Sequence, residues 1–314
     1  MEYNKKRRLA EIAYMYYIDG LNQSQIAKEY SISRSMVSTM LSEAKELGIV
    51  NVQIEDSELY CFDLQNKMKK IFDIEKAIIV PKLSKTEENL RYQLADACIN
   101  YLNHIIKDDT TIAVSWGRTL YAIANRIRTT GKDNIKICPL VGGVGNEMTM
   151  YHSNMICDIM AKNLGGKSYG LYAPVFVSTK EVKEVIFQDK SINNVMEISK
   201  NADLAIMSVG NIFSSVMIEA KSLEDSEVDE LLKLGAIGDI NASLFNKDGK
   251  IIKTDLIERT ISVSMKSLKR IPKIIVIAGG KNKLEAIHAA LKGKLMDVLI
   301  TDEEVARNIL NQYK

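Results

Sequence analysis

QSQIAKEYSISRSMVSTMLSEAKEL, residues 23–47, lays out two short helices around a sharp break. Asn22 and Ser24 offer caps for the first helix, Ile26 and Ala27 give it a buried face, and Tyr30-Ser31-Ile32-Ser33 interrupts it. The second helix begins at Ser33. Val37, Met40, Leu41 and Ala44 recur at i, i+3, i+4 and i+7, one apolar stripe that can dock on the preceding helices. Its opposite face carries Arg34, Ser35, Ser38 and Thr39. A helix of this build fits the major groove of double-stranded DNA, where side chains near its N-terminus meet base edges. Ser33, Arg34, Ser35, Ser38 and Thr39, with Gln23 from the first helix, are therefore candidate DNA contacts.

Outward from this core, residues 5–18 read as a preceding helix with Leu9, Ile12, Ala13 and Tyr16 facing inward. The cluster Lys5-Lys6-Arg7-Arg8 can neutralise backbone phosphates without reading sequence, which makes Lys6 and Arg7 further candidate contacts. On the other side, Gly48 is a helix C-cap and Ile49-Val50-Asn51-Val52-Gln53-Ile54 alternates like a short wing strand. The pattern predicts an N-terminal all-α, winged helix-turn-helix domain over residues 1–56.

The whole chain has 314 residues, enough for about two domains. Its charged fraction of 26% is ordinary and its net charge only +2, so DNA affinity has to come from a local patch. The first twenty residues are broken by charge, and no later run is long and apolar enough for a membrane span. Cys61, Cys98, Cys138 and Cys157 lack CxxC spacing and read as reduced, buried cysteines of a cytoplasmic protein. With only His104, His152 and His288 available, and none at ligand spacing from a cysteine, no metal is expected.

Residues 57–314 form the second predicted domain, entered by a connecting helix over 59–72. Apolar runs at 77–80, 111–115, 135–140, 204–209, 274–278 and 298–300 alternate with helical stretches. This rhythm predicts a larger Rossmann-like α/β domain with a mainly parallel sheet covered on both faces. In such sheets ligands bind beyond the carboxyl ends of the strands. Polar or glycine-rich segments fall there: Ser115-Trp116-Gly117-Arg118-Thr119, Gly142-Gly143-Val144-Gly145-Asn146, Gly210-Asn211, residues 235–241 with Asp239, and Ala278-Gly279-Gly280-Lys281-Asn282-Lys283. Gly117 lets backbone approach an anion at a helix start, with Thr119 adding a hydroxyl and Arg118 a charge. Asp239 can accept sugar hydroxyls or simply cap a turn. Lys283 offers a point charge to an anion, or starts a solvated helix.

Together, the helix-turn-helix, SWGRTL, PLVGGVGN, GAIGDIN, AGGKNKLEAIHAAL and LITDEEVA, in that order over nearly the whole chain, resemble the SorC family of bacterial transcriptional regulators. The resemblance implies a sugar-binding domain related to sugar-phosphate isomerases, a phosphorylated sugar as effector and assembly as a homodimer or homotetramer. It also places Ser115, Gly117 and Thr119 in a phosphate loop, Gly142 and Gly143 in a second glycine loop, and Asp239 and Lys283 against the effector. Many relatives carry a basic residue at Thr39, so base contacts there are expected to differ.

The expected function is a sequence-specific regulator whose operator affinity answers to a phosphorylated sugar, with no catalytic residues and no cofactor. The alternative is an isomerase-like enzyme with an appended DNA-binding domain. Asp239, Glu147 and Lys283 would be its acid-base groups, but nothing in the sequence ties them into a proton relay.

Overall fold

The computed structural model describes residues 2–47, 49–50, 57–81, 86–143, 148–214 and 223–313. The chain divides into two compact units, Met1–Asp56 and Ser57–Lys314.

The smaller unit has three helices, α1 (Glu2–Tyr17), α2 (Gln23–Glu29) and α3 (Arg34–Glu46). Asn22 caps α2 through its Oδ1, which accepts from the amides of Ser24 and Gln25, while Gln25 reaches back to the Asn22 amide at 2.9 Å. Ser24 lies inside the helix rather than capping it. Ser31 sits in the left-handed region (φ 52°) and turns the chain between α2 and α3. Leu9, Ile12, Ala13, Ile26, Ala27, Val37, Leu41 and Ala44 form the core, with Tyr16 and Met40 half-buried beside it. Each large aliphatic in that list contributes roughly 1.5–3 kcal/mol. Ile49 and Val50 are not in a strand; their amides close the end of α3 on the Ala44 carbonyl. The rest of the expected wing, and Gly48, lie outside the described residues.

The larger unit is built on a seven-stranded parallel sheet in the order β1-β10-β9-β5-β2-β3-β4. Its strands are β1 (Lys76–Val80), β2 (Thr111–Val114), β3 (Lys136–Pro139), β4 (Lys167–Ser168), β5 (Leu204–Met207), β9 (Ile274–Ile277) and β10 (Val298–Asp302). Three short strands, β6 (Val209–Asn211), β7 (Ala236–Ile240) and β8 (Ser243–Asn246), make a separate antiparallel sheet.

The central strands are apolar on both faces because both are covered. Ile112, Val114, Leu204, Ile206, Ile275 and Ile277 point into one layer, with Leu94, Cys98 and Leu102 of helix Glu87–Ile105. Ala113, Ala205, Met207, Ile274 and Val276 point into the other, with Ala286, Ile287 and Ala290 of helix Leu284–Lys292. The connecting helix is Ser57–Phe72, and its Cys61, Leu64, Met68 and Phe72 join that second layer. Its apolar stripe therefore packs on its own domain.

Two expectations are corrected. The run over 204–209 is not one strand: it breaks at Ser208, and Val209–Asn211 pairs instead with β7. Residues 236–240 are a strand rather than a turn, so Asp239 is a strand residue; the turn before it is Gly235 (φ 79°).

Candidate functional site

Each unit carries its own candidate surface. On α3, the Ser33 hydroxyl accepts from the Met36 amide at 3.1 Å and shares a 2.8 Å hydrogen bond with the Ser35 hydroxyl. Ser33 is thus the N-cap of α3. Thr39 donates to the Ser35 carbonyl at 3.1 Å, so the side chains of three of the predicted contacts, Ser33, Ser35 and Thr39, already have local partners. Arg34, Ser35, Ser38 and Thr39 are all exposed, and Gln23 is half-buried. Met36, which sequence reasoning passed over, is 54% exposed on the same helix. Of the basic cluster, Arg7 bonds Glu11 at 3.0 Å and Lys5 pairs with Glu43 of α3, while Lys6 is exposed. The Arg8 guanidinium stacks 5.6 Å from the Tyr30 ring centroid, and the Tyr30 hydroxyl donates to Glu11 at 3.3 Å. The basic end of α1 is in this way fastened to both later helices.

In the larger unit the topology marks one place. After β2 the chain moves to β3 on one side, whereas after β5 it moves to β9 and β10 on the other. The crossovers part company between β2 and β5, and sheets of this kind bind ligands at such a point, beyond the carboxyl ends of the strands. Ser115–Thr119 leaves β2 there, Ser208–Asn211 leaves β5, and residues 278–283 leave the neighbouring β9.

Ser115 is buried, and its hydroxyl donates to Asn241 Oδ1 at 2.9 Å. Asn241 Nδ2 in turn donates to the Val263 carbonyl at 3.1 Å and the Leu140 carbonyl at 3.5 Å. Ser115 is consumed in fixing the loop. Gly117 caps the helix Arg118–Arg126 at φ 113°, a conformation that favours glycine, and a Cβ there would meet only open space. Its own amide is taken by the Tyr151 carbonyl at 3.0 Å. Any anion at this helix start would therefore meet the amides that follow. Thr119 is nearly buried, and the Arg118 guanidinium lies 5.6 Å from the Tyr151 ring centroid.

The glycine loop after β3 has a different logic. A Cβ on Gly142 would lie 2.6 Å from the Pro174 carbonyl oxygen, and the amides of Gly142 and Gly143 go to Ile261 and Ala173. Gly142 is small because another backbone crosses it. Residues 144–147, with the candidate Glu147, lie outside the described residues.

Gly210 and Asp239 face each other across β6 and β7, and Asp239 is buried. Asn211 Nδ2 donates to the Asn282 carbonyl at 2.6 Å, tying β6 to the turn that carries Lys283. The same turn is fixed from below: Asp302 accepts from the Gly280 amide at 2.7 Å and caps the final helix through Val305 at 3.0 Å. Lys283 is half-buried. Burial pushes its ammonium down from the usual lysine range to about 8; Asp239 and Glu87 work against that shift, and Arg91 and Arg118 add to it. Lys283, Asp239 and Arg118, singled out in sequence, thus converge electrostatically. Asn211, Asn241 and Asp302 lie in segments singled out in sequence but without a role of their own, while nothing in the sequence marks Arg91. Lys281 is exposed.

The family described as "Putative sugar-binding domain" matches residues 57–311, nearly all of the larger unit. Over its full length the chain is 29% identical to the deoxyribonucleoside regulator of Bacillus subtilis (strain 168), spanning 99% of each protein. Among solved structures, a DeoR family transcriptional regulator from Listeria monocytogenes is 33% identical with a TM-score of 0.73, covering 80% of this chain and 99% of that one. The full-length sorbitol operon regulator SorC from Klebsiella pneumoniae shares the fold at a TM-score of 0.76 and 24% identity, over 97% of this chain and 98% of that one. A helix-turn-helix unit joined to a sugar-binding α/β unit defines a class of transcriptional regulators. This chain belongs to the SorC family of that class. No helix among the described residues is long and apolar enough to cross a membrane.

Proposed function

We propose that this chain is a sequence-specific regulator of carbohydrate metabolism whose affinity for operator DNA is set by a phosphorylated sugar bound in the larger unit. Residues 1–56 bind the operator and 57–314 bind the effector and assemble the oligomer. The observation that carries this reading is the convergence of Lys283, Asp239 and Arg118 beyond the strands that flank the switch point. A buried carboxylate suits sugar hydroxyls, and the cations beside it suit a phosphate. Further contacts come from the helix start at Gly117 and Thr119 and from Gly210 beside Asp239, with Gly142 and Gly143 shaping the adjoining wall.

Regulation requires the effector to bind two arrangements of the protein unequally, because equal affinity shifts nothing. Paired heads raise operator affinity through effective concentration, so the working form is a homodimer or homotetramer. It acts in the cytoplasm, where its DNA is. The binding role is favoured over catalysis because a carboxylate for hydroxyls and a lysine for phosphate are what recognition needs, and nothing in the sequence ties Lys283 and Asp239 into a proton relay.

A thermal-shift screen of the full-length protein against pentose and hexose phosphates, followed by operator retardation with any hit, tests the proposal. One sugar phosphate is expected to stabilise the protein and alter retardation. A panel with neither effect would overturn it, and sugar-phosphate turnover abolished by Lys283→Ala would establish the enzyme instead.

A further inference from the structure

Helix Glu87–Ile105 rests on the glycine turn after β9. A Cβ on Gly279 would lie 2.8 Å from Leu94 Cδ1, and one on Gly280 3.9 Å from Leu90 Cδ2. Positions 87, 90, 91 and 94 share one helix face. The contact that seats Leu90 and Leu94 therefore carries Glu87 and Arg91 toward the turn bearing Lys283. Both charges act on the Lys283 ammonium, together with those of Asp239 and Arg118.

Arg91 differs from the other arginines nearby. Arg126 is held by Asp96 through two hydrogen bonds, at 2.8 and 2.7 Å, and stacks on Tyr92. Arg118 has the Tyr151 ring. Arg91 is half-buried and has no ion pair among the described residues, although Glu87 lies one turn away on the same helix. A half-buried guanidinium whose charge, like that of Arg118, bears on Lys283 is costly until an anion arrives. Its planar fork matches the oxygens of a phosphate and stays charged at any pH the protein survives.

We infer that Arg91 is a ligand-binding residue of this site, that it takes the phosphate of the effector in a two-pronged hydrogen bond, and that it makes the site select phosphate monoesters over the same sugars without phosphate. The inference rests on the effector reading above and adds to it the residue that sets ligand class. Division of labour follows from the positions: Asp239 addresses hydroxyls, while Arg91 and Lys283 address the phosphate.

The test is calorimetric titration of full-length protein with inorganic phosphate, ribose 5-phosphate and ribose, comparing wild type with Arg91→Gln, Arg91→Lys and Arg126→Gln. Arg91→Gln should weaken both phosphate ligands about tenfold to a hundredfold, the scale of a lost charged hydrogen-bond pair, and leave ribose unchanged. Arg91→Lys keeps the charge but not the fork, and should fall between. Arg126→Gln should match wild type. Equal loss for ribose and ribose 5-phosphate would make Arg91 merely structural, and undiminished phosphate binding in Arg91→Gln would overturn the inference while leaving the effector reading intact. A wild type that binds neither phosphate ligand would overturn both. Should Arg91→Gln fail to fold, the Arg91→Lys ratio of phosphate to ribose binding decides alone.

Discussion

Raising the pH from about 7 to about 9 should weaken binding of a phosphorylated effector about tenfold, through one side chain. Burial holds Lys283 near 8 instead of the ordinary 10.5, and the positive charges of Arg91 and Arg118 add to the shift. The protonated fraction then falls from about nine-tenths to about one-tenth over that interval, whereas an ordinary lysine would stay charged. A phosphate monoester, with its second pKa near 6, is already mostly doubly ionised by about pH 7, and guanidinium groups keep their protons. The sign for the ligand-free protein is opposite. Between about 8 and 10.5 the unfolded chain holds more protons on this lysine than the folded one, so stability rises as pH climbs through that window. Near pH 8 the effector should draw a proton into the complex. Titration calorimetry in buffers of different ionisation enthalpy reads that uptake directly, and Lys283→Met should abolish it and flatten the pH profile. Affinity that stays level from pH 7 to 9 in wild type, or falls equally in Lys283→Met, would refute the reasoning.

Gly142→Ala should cost about 1–3 kcal/mol in thermal unfolding, because its methyl would press on the Pro174 carbonyl at 2.6 Å; an unchanged melt would mean that this crossing of backbones is loose. In the smaller unit, Ser33→Ala should destabilise α3 by about 0.5–2 kcal/mol and weaken retardation of all DNA sequences alike. Arg34→Ala should instead cost about 1–3 kcal/mol at one base position, measured on an operator substitution series. Cys98, Cys138 and Cys157 are buried, with Cys138 pushed up to about 11, so thiol reagents should label them only as fast as the domain opens. Rapid labelling of the folded protein would contradict this.

The helix-turn-helix and the parallel sheet were legible because both leave periodic traces. Val37, Leu41 and Ala44 repeat at helical spacing, and Leu204–Met207 and Ile274–Ile277 are apolar throughout because both faces are covered. The site was less legible. Gly235 and Gly238 make the run around Asp239 look like a turn. Gly238 is in fact a strand residue that is small because Gly210 and Ala286 crowd it, at 2.7 and 2.8 Å from where its Cβ would be. The run across Ser208 hides a change of sheet, since hydrophobicity cannot report which partner a strand takes. Arg91 left no local mark: only the packing of its helix on a turn nearly two hundred residues later gives it a neighbour in Lys283.

Asn241 occupies a left-handed backbone position (φ 50°), and its amide can be used in one orientation only, oxygen toward Ser115 and nitrogen toward the carbonyls of Val263 and Leu140. An aspartate of the same shape would aim a negative charge at two carbonyl oxygens. This single planar group therefore acts as a keystone: the turn after β2 and the hairpin that carries Asp239 share one anchor, and a ligand that shifts either of them must drag the other along.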